Sequence, residues 1–465
     1  MLKLHNTFSK KLELVEFDSD IVKIYLCGPT VQSSPHIGHG RSAVAFDFLV
    51  RYLKFLEYKV TFVRNITDID DKIIERSSSL GLSVSELAKK VLLEFEFSYR
   101  QLNCTSPDIE PKATESIENI INIINILYNK GFAYSTTSGV YFEVAKFDNY
   151  LELSGRSRSE VVSGTRIDLE EDKKNSEDFA LWKISKENEP SWPSPWGSGR
   201  PGWHIECSAM INKIFMGGID IHCGGNDLIF PHHENELAQS TAAFENQNFV
   251  KYWLHNGMVN LSGQKMSKSQ GNIKLLNEYI EIYSGNVIRF FFLRSHYRKP
   301  QEFSEDLLEE SKTTFKRILD LGIELTPKPT HAKTLSMFKD SMNDDLNTPK
   351  LLGEVFMLLG SINEFKPNEQ KKIKETILYI FEILGFDLST KPQKEIDKEI
   401  LKKLFSKYEI SFLSLEQSMP KLIKLREELR DNKNFDIADQ IREEFKKIGI
   451  VIQDGKNSGW YREDS

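Results

Sequence analysis

Between Ile21 and Arg64 the hydrophobic period changes twice, and this stretch restricts the fold more than any other. Residues Ile21 to Leu26 alternate and favour branched side chains, until Cys27-Gly28-Pro29-Thr30 interrupts them, which reads as a strand ending in a loop. From His39 onward Ala43, Phe46, Leu49, Val50 and Leu53 recur at helical spacing. A second strand, Lys59 to Arg64, follows after Leu56-Glu57-Tyr58. Strand, loop, helix and strand within roughly 45 residues make a βαβ unit and predict a parallel sheet. The same alternation resumes at Phe215 to Cys223 and at Tyr252 to Leu261.

Between these parts the pattern changes. Residues 104–186 combine a helix, Ile117 to Tyr128, with hairpin-like pieces around Val140 to Glu143. The charged run Glu170-Glu171-Asp172-Lys173-Lys174 reads as an exposed loop. We read the stretch as an insertion into the sheet domain. After Glu305 the chain is almost wholly helical, and a polar join near Ser389 to Lys398, containing Pro392, separates two helical parts. A chain of 465 residues is too long for one core. The opening residues lack the apolar stretch of a signal peptide, and no run of apolar residues is long enough to span a membrane, so a cytoplasmic location is expected. Four cysteines in a reducing compartment are thiols or metal ligands rather than a disulfide framework. The net charge of −7 argues against general nucleic-acid binding but leaves room for a local basic surface.

Three groups of residues carry chemistry. Pro35-His36-Ile37-Gly38-His39 falls at the turn from the first strand into its helix. There free backbone N–H groups and the positive end of the helix dipole favour phosphate. His36 and His39, three apart, can both face such a ligand; the plainer alternative is two surface histidines in a turn. Lys265-Met266-Ser267-Lys268-Ser269 lies between Gly263 and Gly271 in a polar loop after a strand. Lys265 and Lys268 could close on a polyphosphate and stabilise the charge of departing pyrophosphate, or could form a solvated basic loop. Cys27, Cys207, His232 and Glu236 offer two thiolates, an imidazole and a carboxylate, all sound zinc ligands. His232 and Glu236 are four apart, on one face of a helix that Pro231 could start. They come from separated segments, so spacing alone leaves buried free cysteines as an open alternative.

The first two motifs, in this order and on either side of an insertion, resemble the signature pair of class I aminoacyl-tRNA synthetases. Cys27-Gly28-Pro29-Thr30-Val31, the run from Asn65 to Lys72, Asp178 to Lys183, Gly199 to Ser208 and Pro231 to Glu236 are similar to the cysteinyl-tRNA synthetases within that class. The likeness runs from about residue 20 to residue 305 and weakens toward the C-terminus. It implies that His36, His39, Lys265 and Lys268 are catalytic, and that His36, His39, His222, Asp227 and Lys268 bind ATP, with His222 and Asp227 near the adenosine. It implies that Gly28, Thr67 and Trp203 line the amino-acid pocket, and that Cys27, Cys207, His232 and Glu236 hold one Zn²⁺ to which the substrate thiolate adds. Thiolate is a far better zinc ligand than a hydroxyl, so the metal would separate cysteine from serine without an editing domain. The sequence departs from the family at Gln32-Ser33-Ser34 and at Cys223, which reads as a tolerated apolar residue or an extra ligand.

The fold class expected is α/β: a Rossmann-like parallel-sheet catalytic domain with an insertion, then an all-α bundle and a small α+β anticodon-binding domain. Boundaries fall at 1–104 and 199–255 for the halves of the sheet domain and 105–198 for the insertion. The lysine loop and stem-contact region take 256–310, the helical tRNA-binding bundle 311–392, and the anticodon domain 393–465. Asp344 to Pro349 resembles the start of the bundle. Leu425 to Arg442, with Ile450 to Asp454 and Gly459 to Arg462 as a closing hairpin, resembles the anticodon-reading end. The expected partners are L-cysteine, ATP with Mg²⁺, and tRNA(Cys), with no membrane and the chain acting as a monomer. Two alternatives are a cysteine ligase acting on an amino sugar, against which residues 421–462 speak, and a non-catalytic RNA-binding relative, against which the intact motif residues speak.

Overall fold

A computed structural model describes residues 1–158, 160, 172–244, 249–261, 264–265, 274–322, 325–388, 398–412, 415–432, 434–453 and 459–462. By its contacts the chain divides into a larger unit, Met1–Asp387, and a smaller one, Leu388–Ser465. The larger unit opens with an antiparallel hairpin of β1 (Lys3–Asn6) and β2 (Lys11–Leu14). The βαβ unit follows as β3 (Ile21–Leu26), α1 (Ile37–Phe55) and β4 (Lys59–Arg64), with β3 and β4 parallel from Ile21 opposite Lys59 to Leu26 opposite Arg64. Ala43, Phe46, Leu49, Val50 and Leu53 of α1 are all buried, as their spacing requires.

Next come α2 (Asp71–Leu80), α3 (Val84–Gln101) and α4 (Ile117–Asn129). Ser83 and Glu86 cap the start of α3 reciprocally. The insertion sheet is antiparallel, in the order β5 (Ala133–Ser135), β6 (Gly139–Phe142), β7 (Phe179–Ile184) and β8 (Gly199–Pro201). Its core joins Ile120, Ile123, Ile124 and Leu127 of α4 to Phe142, Leu181 and Trp182. It continues into Ile205 and Ala209 of α5 (Trp203–Phe215) and Ala238 and Ala242 of α6 (Glu234–Phe244). The insertion therefore packs directly against the helices that follow it. Of the charged run 170–174, Glu170 and Glu171 lie outside the described residues. Asp172 is half-buried, accepting hydrogen bonds from Ser138 and Thr137.

The central sheet is completed by β9 (Ile219–Gly225) and β10 (Val250–Asn256), giving the all-parallel order β10-β9-β3-β4. The chain runs outward from β3 to β4 on one side and from β9 to β10 on the other. The gap between β3 and β9 is thus the topological switch point, whose carboxyl-end crevice is where open α/β sheets bind ligands. A three-stranded sheet of β11 (Val259–Leu261), β12 (Gln264–Lys265) and β13 (Gln301–Glu302) follows, interleaved with α7 (Leu276–Tyr283) and α8 (Gly285–Leu293). Four helices then end the unit: α9 (Glu305–Gly322), α10 (Ala332–Met342), α11 (Thr348–Gly360) and α12 (Pro367–Ile383).

A buried ion pair ties these parts together. Asp47 of α1 meets Arg289 of α8, accepts from Arg51 Nε at 2.8 Å, and accepts the Thr105 N–H at 2.7 Å. Arg289 also donates to the carbonyls of Leu384 at 2.7 Å and Leu102 at 2.9 Å. Burial raises the Asp47 carboxyl, but the two guanidinium charges outweigh it and hold the group below the usual carboxylate range.

The smaller unit contains α13 (Lys398–Lys407), α14 (Leu415–Asp431), α15 (Phe435–Lys446) and the hairpin of β14 (Ile450–Gln453) with β15 (Gly459–Arg462). Leu401, Phe405, Met419, Leu422, Ile441, Phe445 and Ile450 form its core. Residues 389–397 of the expected polar join lie outside the described residues. The α/β class, the insertion and the helical C-terminal half are all as the sequence led us to expect.

Candidate active site and metal centre

The carboxyl ends of β3, β4 and β9 lie close together. The Cys27 N–H donates to the Cys223 carbonyl at 3.0 Å, and the Gly28 N–H donates to Asn65 Oδ1 at 2.8 Å. A Cβ on Gly28 would lie 1.6 Å from the Asn65 carbonyl oxygen, so only glycine lets the ends of β3 and β4 come this close. Thr67, fully buried, accepts the Val31 N–H on its carbonyl and donates from Oγ1 to Glu206 Oε2 at 3.1 Å.

At this crevice three segments of the chain meet. Cys27 ends β3, Cys207 sits in the second turn of α5, and His232 and Glu236 straddle the start of α6. Cys27 Sγ lies 3.8 Å from Cys207 Sγ and 3.6 Å from Glu236 Oε1, while His232 Nε2 lies 3.6 Å from Cys207 Sγ and 3.0 Å from Glu236 Oε1. All four ligand atoms fall within 4.8 Å of one another, a group that can hold a metal ion. Cys207, His232 and Glu236 are buried. Pro231 stands at the helix start as expected: it follows an extended Phe230 across a cis peptide, and from Pro231 to His233 the backbone is helical and runs on into α6. His232 and Glu236 thus lie on one face.

Electrostatics favour charged ligands here. Burial alone would raise the Cys207 thiol, but hydrogen bonds with Cys27 and His232 bring it to about 6. Burial and the neighbouring Cys207 push Cys27 up instead, so one proton stays on the pair. Burial opposes ionisation of Glu236, yet His222 and His232 draw it down to about 2. A cation replacing these protons would meet thiolate and carboxylate already poised for it.

Around the tetrad lies a second layer that the sequence did not advertise. His204 Nδ1 is 2.9 Å from His232 Nδ1, and the Trp203 ring stacks on His232 with centroids 4.3 Å apart. His233 Nε2 lies 3.3 Å from Cys27 Sγ, its Nδ1 lies 2.7 Å from His255 Nε2, and His255 Nδ1 lies 2.8 Å from Thr7 Oγ1. His222 Nε2 meets Glu236 Oε2 at 2.9 Å. Five of the ten histidines in the chain thus converge on one point. Such outer groups fix the orientation of metal ligands.

Of the pair expected beside the adenosine, His222 is fully buried against Glu236, and Asp227 is exposed just after β9. Cys223 is buried in β9 and belongs to neither metal-compatible group found among the described residues. His36 and His39 stack with centroids 3.7 Å apart at the start of α1, and His39 Nδ1 accepts the His36 N–H at 3.1 Å. This turn is joined to the far end of the lysine loop, since the Ile37 N–H donates to the Lys274 carbonyl at 3.0 Å and the Leu276 N–H to the Pro35 carbonyl at 2.9 Å. Lys265 lies in β12, paired with Asn260, and Lys268 lies outside the described residues.

A parallel sheet with its switch-point crevice, an inserted antiparallel sheet and a helical C-terminal half belong here to an aminoacyl-tRNA synthetase of class I, as comparison with known families shows. The family model for the class I (C) tRNA synthetase catalytic domain matches residues 13–313, and that for the DALR domain matches 337–389. The fold is similar to the methionyl-tRNA synthetase of Mycobacterium tuberculosis in complex with methionyl-adenylate. That likeness has a TM-score of 0.57 at 16% identity, covering 78% of this chain and 89% of that one. Curated relatives narrow the assignment. The cysteine–tRNA ligase of Thermococcus onnurineus is 42% identical over 97% of each chain. That of Thermodesulfovibrio yellowstonii is 43% identical over 97% of this chain and 98% of its own. The chain belongs to the cysteine–tRNA ligase family. Matches of this length, through the C-terminal helices, do not favour an amino-sugar ligase. Among the described residues no helix is long and apolar enough to cross a membrane.

Proposed function

We propose that the protein charges tRNA(Cys) with L-cysteine in the cytoplasm, as a monomer, using ATP with Mg²⁺. The cysteine carboxylate attacks the α-phosphate of ATP, giving cysteinyl-adenylate and pyrophosphate. The terminal ribose hydroxyl of the tRNA then attacks the activated carbonyl. No side chain acts as nucleophile; positioning and charge stabilisation carry the rate. His36 and His39 face the phosphates at the start of α1, and Lys265 and Lys268 neutralise charge as pyrophosphate departs. Gly28, Thr67 and Trp203 seat the amino acid, and Asp227 lies toward the adenosine.

The observation that carries this reading is the tetrad. Zinc bonds of about 2.3 Å to sulfur and 2.0–2.2 Å to nitrogen and oxygen place tetrahedral ligands about 3.8 Å apart for S–S, about 3.6 Å for S–N and S–O and about 3.4 Å for N–O. Four of the six separations here are 3.8 Å for S–S, 3.6 Å for S–O, 3.6 Å for S–N and 3.0 Å for N–O; the first three match, and the last is a hydrogen-bond distance that a bound ion would open. Cys27, Cys207, His232 and Glu236 would hold one Zn²⁺, whose contribution when bound is strong affinity for a thiolate over a hydroxyl. The ring of Trp203, stacked on His232, would close the pocket over a small side chain.

Metal analysis after mild dialysis, together with cysteine-dependent ATP–pyrophosphate exchange and tRNA charging, tests the proposal. One zinc per chain is expected, with exchange lost on chelation and restored by zinc. Full activity at a stoichiometry well below one would overturn it.

A further inference from the structure

The metal-compatible residues at the switch point outnumber one ion's needs. Cys27, His222, His233 and Glu236 also bring their ligand atoms within 4.8 Å of one another, sharing only Cys27 and Glu236 with the first tetrad. Glu236 points Oε1 toward His232 at 3.0 Å and Oε2 toward His222 at 2.9 Å, while His233 Nε2 lies 4.0 Å from Oε1. Cys27 Sγ has Cys207 Sγ at 3.8 Å on one flank and His233 Nε2 at 3.3 Å on the other. A carboxylate with divided oxygens and a thiolate flanked on two sides are the ligands that bridge paired metal ions, which sit about 3.5–4 Å apart in two-metal centres. Each ion would have two ligands of its own: Cys207 and His232 for the first, His222 and His233 for the second.

We propose that the protein has a second divalent-metal position, formed by His222 Nε2, His233 Nε2, Glu236 Oε2 and Cys27 Sγ, which takes Zn²⁺ or Cd²⁺ after the first is filled. It rests on the reading of Cys27, Cys207, His232 and Glu236 as the first site. Thiolate, imidazole and carboxylate together suit these borderline and soft ions.

The hydrogen-bond chain behind His233 supplies the means. Without the second ion, the tautomer with the His233 proton on Nε2 lets that N–H donate to the Cys27 sulfur at 3.3 Å, with His233 Nδ1 accepting from His255 Nε2–H at 2.7 Å and His255 Nδ1 accepting from the Thr7 hydroxyl at 2.8 Å. With the ion bound, the chain reverses. His233 Nδ1–H donates to His255 Nε2, and His255 Nδ1–H donates to Thr7 Oγ1. Both imidazoles stay neutral, no proton leaves the chain, and no ring nitrogen in it loses its partner. The half-buried Thr7 hydroxyl can serve at either end of the exchange.

His222 sets the order of filling. Its Nε2–H now donates to Glu236, so metal binding moves that proton to Nδ1, which is buried without a hydrogen-bond partner. An unpaired buried N–H weakens the second position relative to the first by roughly ten- to a hundred-fold.

Equilibrium dialysis of the intact protein against rising free Zn²⁺, read as bound zinc per chain, is the test. Wild type should plateau at one equivalent and then reach two. Loading with ¹¹³Cd should give two resonances coupled through the shared Cys27 sulfur. His233→Gln should stop at one equivalent, its thermal melt showing that it is folded. A wild-type protein that stays at one equivalent up to millimolar zinc overturns the second position and leaves the first intact. So does a second equivalent that His233→Gln still binds. Failure to hold even one equivalent overturns both.

Discussion

Replacing Cys207 with serine separates a metal that selects substrate from one that merely braces the fold. Cys207 is 1% exposed, its sulfur 3.8 Å from Cys27 Sγ and 3.6 Å from His232 Nε2. Hydrogen bonds with Cys27 and His232 lower its thiol to about 6 despite burial, so it ionises more readily than Cys27 and is the sulfur that brings negative charge to the site. A serine hydroxyl contributes none, and the tetrad is reduced to Cys27, His232 and Glu236. A site built around one specific bond rejects the analogue lacking it by roughly 10⁴ to 10⁵. With the bound ion weakened, the cysteine-to-serine ratio of kcat/KM in pyrophosphate exchange should fall at least 100-fold, about 2.7 kcal/mol of discrimination. The stability cost should be smaller. Serine nearly matches cysteine in volume and can hydrogen-bond His232, so about 1 kcal/mol is expected. The parallel sheet holds these segments in place whether or not the ion is tight. A variant that melts earlier but keeps the wild-type ratio would refute the reasoning and make the metal structural.

Other outcomes follow from residues described above. Lys268→Ala should lower kcat for adenylate formation far more than it raises the KM for ATP, because charge neutralised only as pyrophosphate leaves acts on the transition state; steady-state exchange kinetics decide this. Gly28→Ala sets a Cβ 1.6 Å from the Asn65 carbonyl and should destabilise the larger unit by about 3 kcal/mol, seen as a lower thermal midpoint and lost exchange activity. Arg289→Leu leaves Asp47 buried with Arg51 and the Thr105 N–H alone and should cost about 3–5 kcal/mol in urea unfolding, whereas the double change to apolar residues at 47 and 289 should recover much of it. Because the Asp47 carboxyl is held below its ordinary value, its contribution is complete above about pH 4 and is lost as pH falls through the lowered value. Asp47→Asn should flatten that acid limb of the stability profile.

The sheet was legible because period carries it. Ile21–Leu26 and Lys59–Arg64 pair as strands, and α1 buries the five positions that its spacing marked. The tetrad was legible only through its family likeness, since Cys27 and Cys207 are 180 residues apart and meet where β3 adjoins β9. That adjacency is a property of strand order, which no local pattern encodes. For the same reason His204, His233 and His255 gave no warning. Each is unremarkable in its own segment, and only the crossing of β10, α5 and the turn before α6 makes them a cluster. Pro231 was legible for a local reason: proline suits the first turn of a helix, and here it follows an extended Phe230 and opens the helical backbone that carries His232 and Glu236.

The anchorage of the lysine loop at both ends bears on where its charge can act. Lys265 is held in β12 by its pairing with Asn260, and Lys274 is held by the Ile37 N–H at the histidine turn. The segment that joins them therefore begins and ends at fixed points, one on the small sheet and one on the histidine turn. Substitutions in β11 or β13 would shift Lys265 relative to His36 and His39, so the match between the two motifs is set in part by the small sheet beside them.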